Sequence, residues 1–377
     1  MLKKTLQTAA LAAIAAVSGC ATDVDLTGEY AETAVVYGLL DESNNPANGG
    51  SGHLIRIQKA FLGDASAVDM ALVSDSSYFP YEDLEVNLLE INDDDTTWHL
   101  LDTAMVNTKL TTNSSGVVFF GPQQRVYKAN VNISGTPATG VTSKKFGLSI
   151  KNLKSGYVAY SEQTPLNLAT FQWRNPTTPL VPTLQALGLY SSVNNDYTDY
   201  AVRFRLAGNV KNHEAWLRFH YRVVSGTDTV FKTLEWRVNS FAQASTVGGE
   251  EFTYQINGRS VFSFIGSNIT PEEGKTYLLG HRYNNIATGP GAGVGPVAFD
   301  LVLKMAGPEL STMLDLIAPS NTSVVTEVPV YSNIDNGVGV FSSRNTKEFK
   351  DMYIKLDQVD EYRSGQFTGH IGFRTDQ

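Results

Sequence analysis

Stretches in which apolar and polar residues alternate begin near residue 33 and recur almost to the C-terminus. Each predicts a strand buried on one face. Thr33–Leu40 is apolar and β-branched, and after a turn-rich break from Asn44 to Gly52, His53–Lys59 sets Ile55 and Ile57 against Arg56 and Gln58. Leu84, Val86 and Leu88 keep the period of two up to an acidic turn at Asp93-Asp94-Asp95. Tyr127, Ala129, Val131 and Ile133 alternate with Lys128, Asn130 and Asn132. Phe146, Leu148 and Ile150 do the same before a turn at Ser155-Gly156 and a return strand, Tyr157–Ser161. About seven short strands with turns between them and no helical stretch predict an immunoglobulin-like β-sandwich over residues 33–173.

The stretch 174–182 (RNPTTPLVP) is rich in proline and reads as a linker. Residues 183–377 read as a second β-rich domain, with its clearest strands at Tyr200–Leu206, Trp216–Val224 and Thr233–Phe241. Asn257-Gly258 between Phe252–Ile256 and Val261–Ile265 predicts a hairpin, and Gly289–Pro296 a flexible loop. One short helix is expected: Leu310, Met313, Leu314 and Ile317 fall at i, i+3, i+4 and i+7, opened by Pro308 and Glu309 and closed by Pro319. The fold class is therefore mainly β.

The start of the chain follows another logic. Lys3 and Lys4 precede an apolar, alanine-rich run from Leu6 to Val17, too short to span a bilayer, and small residues follow it. Residues 1–19 thus read as an export signal. Val17-Ser18-Gly19-Cys20 resembles a lipobox, in which the cysteine is acylated and becomes the mature N-terminus. Cys20 is the single cysteine of the chain and has no disulfide partner. Residues 20–32, with Asp23, Asp25 and Glu29, read as a solvated tether. The expected location is the outer membrane, held by lipid, with the exposed membrane face left open.

Charge narrows the partners. The chain of 377 residues carries a formal net charge of −9, and more without Lys3 and Lys4. That argues against nucleic acid, which needs a cationic footprint, and leaves attachment to the acyl chains. A content of 42% apolar and 18% charged residues fits a packed globular chain.

Candidate chemistry is sparse. His53, His99, His213, His220, His281 and His370 are scattered, with no metal-ligand spacing among them. There is no GxSxG elbow, and no Lys-Ser/Thr follows Gly289–Pro296. No catalytic residue, metal or cofactor is expected, and Asp93–Asp95 reads as an exposed acidic turn or a calcium loop. One pattern stands out. In Trp216–Val224 the residues Leu217, Phe219, Tyr221 and Val223 face one way, and Trp216, Arg218, His220 and Arg222 the other. Tyr200–Leu206 repeats this, with Arg203 and Arg205 opposite Val202, Phe204 and Leu206. Placed together, the two strands would offer a cationic face, edged by an indole, to an acidic partner or a sugar acid. The alternative is a solvated face whose arginines pair with Asp199, Glu214 or Glu235. Trp98 and Trp173 read as core residues or as sugar platforms.

Three stretches carry a family resemblance: Ala34–Leu40 with His53–Gly63, Phe146–Leu166, and Val330–Phe341 (VYSNIDNGVGVF). Together they resemble a family of uncharacterised lipoproteins of Bacteroidota-type bacteria, a domain of unknown function. Asn336-Gly337 is a turn former and Gly339 permits close backbone approach, so the last motif reads as structural. Residues 351–377 run past the family's usual end. The resemblance implies an outer-membrane lipoprotein, often encoded beside a TonB-dependent receptor, and carries no established activity over to this chain. The expected function is a non-enzymatic accessory binding or assembly subunit of an outer-membrane receptor or secretion complex. A surface glycan-binding lipoprotein and a hydrolase with its site in the C-terminal domain are the alternatives.

Overall fold

A computed structural model describes residues 31–60, 73–107, 123–177, 186–280, 298–317 and 331–375. Cys20 with the whole export signal, residues 178–182 of the proline-rich stretch, and Gly289–Pro296 lie outside the described residues.

The architecture is mainly β. Eight strands come first: β1 (Ala34–Asp41), β2 (His53–Lys59), β3 (Leu84–Asn92), β4 (Asp95–Leu100), β5 (Asp102–Asn107), β6 (Gln123–Ala129), β7 (Lys144–Asn152) and β8 (Val158–Gln163). β1, β2, β6 and β5 are neighbours in one sheet, and a second sheet has the order β4-β3-β7-β8. The alternation in the sequence decides which side chains meet between them. Val36, Ile55 and Ile57 from the first sheet pack on Val86, Leu88, Phe146 and Leu148 from the second. Asp93, in left-handed backbone at the β3–β4 turn, accepts from Thr142 N and Oγ1 and from Ser143 N.

The remaining strands are β9 (Gln172–Asn175), β10 (Ala186–Leu187), β11 (Tyr190–Ser191), β12 (Asp196–Tyr197), β13 (Asp199–Arg205), β14 (Asn212–Ser225), β15 (Asp228–Ala242), β16 (Glu251–Asn257), β17 (Thr276–Leu279), β18 (Phe299–Ala306) and β19 (Gly337–Ile354). Among the described residues, three α-helices interrupt or follow them: α1 (Gly258–Asn268), α2 (Pro308–Ile317) and α3 (Val359–Ser364). A sheet in the order β16-β13-β9 faces the long strands β14 and β18. Val202, Phe204 and Tyr254 of this small sheet share a core with Leu217, Phe219 and Leu303, sealed by Phe262 of α1 and Tyr362 of α3.

β19 joins the two cores. Its first residues, Gly337–Arg344, run parallel to β1, and from Arg344 to Met352 it is antiparallel to β18. One ten-stranded sheet therefore passes through both halves, its main path being β15-β14-β18-β19-β1-β2-β6-β5.

This corrects the boundaries expected from sequence. Ile334 and Phe341 are buried in the first core, although both fall in the stretch assigned to the second domain. Residues 33–173 alone do not make up the first sandwich. At the linker, Gln172–Asn175 is instead strand β9, antiparallel to β13, and Trp173 packs edge-on against Phe171, Phe204 and Phe349. The segment before β19 explains the arrangement. Asn333 donates from Nδ2 to the Phe341 carbonyl at 2.8 Å and accepts from Phe341 N at 2.9 Å. Ser161 Oγ donates to the Asn333 carbonyl at 2.7 Å, and Asn336 Nδ2 to that of Val158 at 2.8 Å. The Tyr157 hydroxyl donates to the Asn336 carbonyl and accepts from Ala34 N. These bonds tie β8 to β1 and β19, and every one serves the backbone.

The second correction concerns Asn257-Gly258. The expected hairpin is a helix start. Asn257 stays extended and its Oδ1 accepts from Ser260 N at 2.9 Å, an N-cap. Val261, Phe262 and Ile265, at i, i+1 and i+4, all fall on the buried side of α1. α2 forms where the sequence predicts it. Its buried residue is Ser311, while Leu314 of the apolar stripe stays exposed.

Candidate functional site

β14 alternates as the sequence predicts: His213, Ala215, Leu217, Phe219, Tyr221 and Val223 are buried, and the residues between them reach the outer face. That outer face is balanced in charge rather than cationic. Arg218 donates to Glu235 at 2.7 Å from Nε and to Glu348 at 2.6 Å from a terminal nitrogen. Burial works against the guanidinium's charge, but these two carboxylates more than offset it and hold its pKa above the ordinary value. Lys350 reaches Glu348 at 2.8 Å, and Arg237 reaches Glu214 at 3.0 Å. Burial also opposes ionisation of Glu348, and its bonds to Lys350 and Arg218 outweigh this, so its pKa lies below normal.

Trp216 lies half-buried under Lys304, whose ammonium stands 4.0 Å from the ring centroid, and its Nε1–H donates to Glu214 at 3.1 Å. One indole face is therefore already occupied. His220 stands between Thr233 Oγ1, 2.9 Å from Nδ1, and Asp300 Oδ2, 2.9 Å from Nε2. Burial raises the Asp300 pKa, but the bonds from His220 and from Asp351 N lower it further, so the carboxyl stays ionised below its usual range. A hydroxyl, an imidazole and a carboxylate thus stand in line, as a proton relay requires. Thr233 is exposed on the sheet face, whereas acyl transfer needs an enclosed site with oriented donors. Arg222 extends the row towards the end of the hairpin, opposite Phe231.

Arg203 and Arg205 do not join this face. β13 pairs with β16 and β9, not with β14. Val202 and Phe204 of β13 point into the same core as Leu217 and Phe219 of β14. The strands thus pack face to face across that core, and the arginines of one stand on the opposite side of the sandwich from those of the other. The alternation fixes which side chains turn inward and leaves open which sheet a strand joins. Of the alternative pairs, Glu235 does hold Arg218, whereas Asp199 accepts from Asn257 Nδ2.

Apolar exposure lies elsewhere. Trp98 and Leu100, on the outermost strand β4 of the four-stranded sheet, are 58% and 69% exposed. Val230 and Phe231, beside the turn that joins β14 to β15, are 50% and 58% exposed. The sequence reading does not single out this pair. Its signal is two adjacent apolar residues three and four positions after the Gly226-Thr227 turn, where a strand face predicts one. β15 is the outermost strand of the large sheet, fifteen residues long, with Asp228–Thr233 exposed throughout. Among the described residues there is no cluster of three or more His, Cys, Asp or Glu able to hold a metal ion, and no helix is long and apolar enough to cross a membrane. No protein-family model and no curated protein matches the chain.

Proposed function

We propose that the protein is a lipid-anchored, non-enzymatic binding or assembly subunit at the outer membrane, which docks its partner along β15. The observation that carries this is the free edge of that strand. Among the described residues no strand pairs with the outer side of β15, fifteen residues long, and Val230 and Phe231 project near one end. Such an edge donates and accepts main-chain hydrogen bonds to an added strand, and flanking apolar side chains give the contact specificity. Lys232 and the bulge opposite Ala215/Trp216 are devices that keep an edge from pairing at random. The lipobox-like Val17–Cys20 supports the anchor. The resemblance of Tyr331–Phe341 to a Bacteroidota lipoprotein motif supports an outer-membrane partner such as a TonB-dependent receptor. Among the described residues Thr233, beside His220 and Asp300, is exposed rather than enclosed, which favours binding over turnover.

The test is co-purification of the native lipoprotein from membranes in mild detergent. Changing both Val230 and Phe231 to Lys is expected to reduce the captured outer-membrane protein at least tenfold while the thermal midpoint is kept. Undiminished capture rejects the edge. In the same preparation, Cys20→Ser is expected to move the protein from the membrane to the soluble fraction. Continued sedimentation with membranes rejects the lipid anchor.

A second reading, a surface glycan-binding lipoprotein, is favoured by the exposure of Trp98, whose ring is open to stack on a sugar. Trp216, under Lys304, is a poorer platform.

A further inference from the structure

Between α1 and β15 lies a shallow cleft of about 460 Å3, away from both the outer face of β14 and Trp98. That volume lies within the range of small-molecule sites. Aromatic rings line it: Trp236 and Phe264 lie nearly parallel, 5.3 Å between centroids and 15° between planes, and Phe367 stands beside them. The wall carrying Phe367 comes this close because residue 266 is glycine. A β-carbon there would lie 2.1 Å from the Phe367 carbonyl oxygen.

The other wall is polar and belongs to the outer side of α1. Ser260, Ser263 and Ser267 succeed one another at helical spacing along the cleft. Ser267 Oγ donates to the Ser263 carbonyl at 2.8 Å, and Asn268 Nδ2 to the Phe264 carbonyl at 2.8 Å. Their donors are thus held in place, and the hydroxyl lone pairs and the amide oxygen remain to accept from a ligand.

Arg259 is the charged residue of the lining. Its guanidinium lies over the Tyr197 ring at 4.9 Å and the Phe367 ring at 6.0 Å, which fixes its direction. Asp196 approaches it only to 3.9 Å, a loose pairing that leaves the fork's donors for another carboxylate.

From this combination we infer that the cleft binds a saccharide bearing a carboxylate, a uronic-acid unit of a glycan chain. The apolar ring face of the sugar packs on the aromatic lining formed by Trp236, Phe264 and Phe367, its hydroxyls donate to Ser267 and Asn268, and its carboxylate pairs with Arg259. Neither a purely apolar ligand nor a small anion uses all three features. The inference rests on the ligand class of the glycan reading but not on its Trp98 site.

The test is titration of the mature protein with oligogalacturonate, oligomannuronate and hyaluronan oligosaccharides, with neutral maltooligosaccharides alongside. Calorimetry and tryptophan fluorescence are the readouts. At least one uronate series is expected to bind and to shift the emission, and maltooligosaccharides at least tenfold more weakly. Arg259→Gln is expected to weaken uronate binding at least tenfold. Trp236→Ala and the cleft-filling Ser267→Trp are expected to abolish it, and Trp98→Ala to leave it unchanged. Arg259 and Ser267 are exposed, so those two variants decide the matter even where Trp236→Ala folds poorly. Equal binding of neutral and acidic chains overturns the role of Arg259. Binding lost only in Trp98→Ala overturns the cleft and keeps the glycan reading. No binding to any of the oligosaccharides overturns both.

Discussion

Alanine in place of Gly339 should cost the protein more than about 4 kcal/mol, a large part of an ordinary domain's stability. Gly339 has φ +118°, a region that L side chains rarely adopt, and it pairs with Val36 in the parallel β1–β19 ladder. A β-carbon would sit 2.0 Å from the Val36 carbonyl oxygen and 2.9 Å from its nitrogen. These are backbone atoms of a central strand, so no side chain can swing away to make room. The strain alone costs about 1–3 kcal/mol. Relieving the clash parts β19 from β1 and lifts Ile334 and Phe341, both buried, out of the first core. Gly140 provides the control. It too has positive φ, at +89°, but a β-carbon there meets nothing within 4 Å, so Gly140→Ala should cost only about 1 kcal/mol. Urea midpoints of the two variants decide between strain and contact. Equal losses would mean that close approach at position 339 contributes nothing. Because β19 also borders β18, the Gly339 variant should weaken both cores, visible as one lowered transition rather than the loss of one of two.

That coupling also marks what the sequence could and could not convey. Strand identity was legible wherever one face is buried: His53–Lys59 matches β2, because Ile55 and Ile57 must be covered and Arg56 and Gln58 need not be. The pairing of β1 with β19 was not legible. It joins residues some three hundred positions apart, as the bond from Asn345 Nδ2 to Asp41 at 3.1 Å illustrates, and an alternating strand carries no label for its neighbour. The same limit separated Arg203 and Arg205 from Arg218 and Arg222. At α1 the fault was local. Asn-Gly is the usual signature of a two-residue turn, but the helical spacing of Val261, Phe262 and Ile265 and the Ser260 that Asn257 caps are the stronger signals. The cleft is hidden from a hairpin reading for the same reason, since Arg259, Ser263 and Ser267 share a face only if residues 258–268 are helical. The glycines of Tyr331–Phe341, by contrast, were legible as structural, because a left-handed φ and a close approach leave few other residues possible.

Acid should begin to destabilise the protein above the ordinary carboxylate range, and His213 is the reason. Its side chain is fully buried, stacked on Phe241 at 4.4 Å and 6° between planes, with Phe204 at 6.4 Å. Neither ring nitrogen has a hydrogen-bond partner among the described residues. Burial therefore disfavours the imidazolium and pushes the pKa from 6.5 down to about 4. Above pH 6.5 the ring is neutral folded or unfolded, and stability does not depend on it. Between about 6.5 and 4 the unfolded chain takes up a proton that the folded one refuses, so stability falls as pH falls. At 1.36 kcal/mol per unit the loss approaches about 3 kcal/mol. His53, also lowered by burial, acts in the same direction. Asp300 and Glu348, whose folded pKa values lie below normal, lose their contributions only at lower pH, near and below the ordinary carboxylate range. His213→Phe keeps a stacked ring and removes both unpaired nitrogens. Between pH 7 and 4.5 the wild-type protein should lose about 2 kcal/mol more than this variant, read as the difference in urea midpoints at constant slope. Parallel curves for the two proteins would mean that position 213 carries no proton linkage. At pH 7 the variant should already be the more stable, because the folded state no longer hides a donor and an acceptor from water.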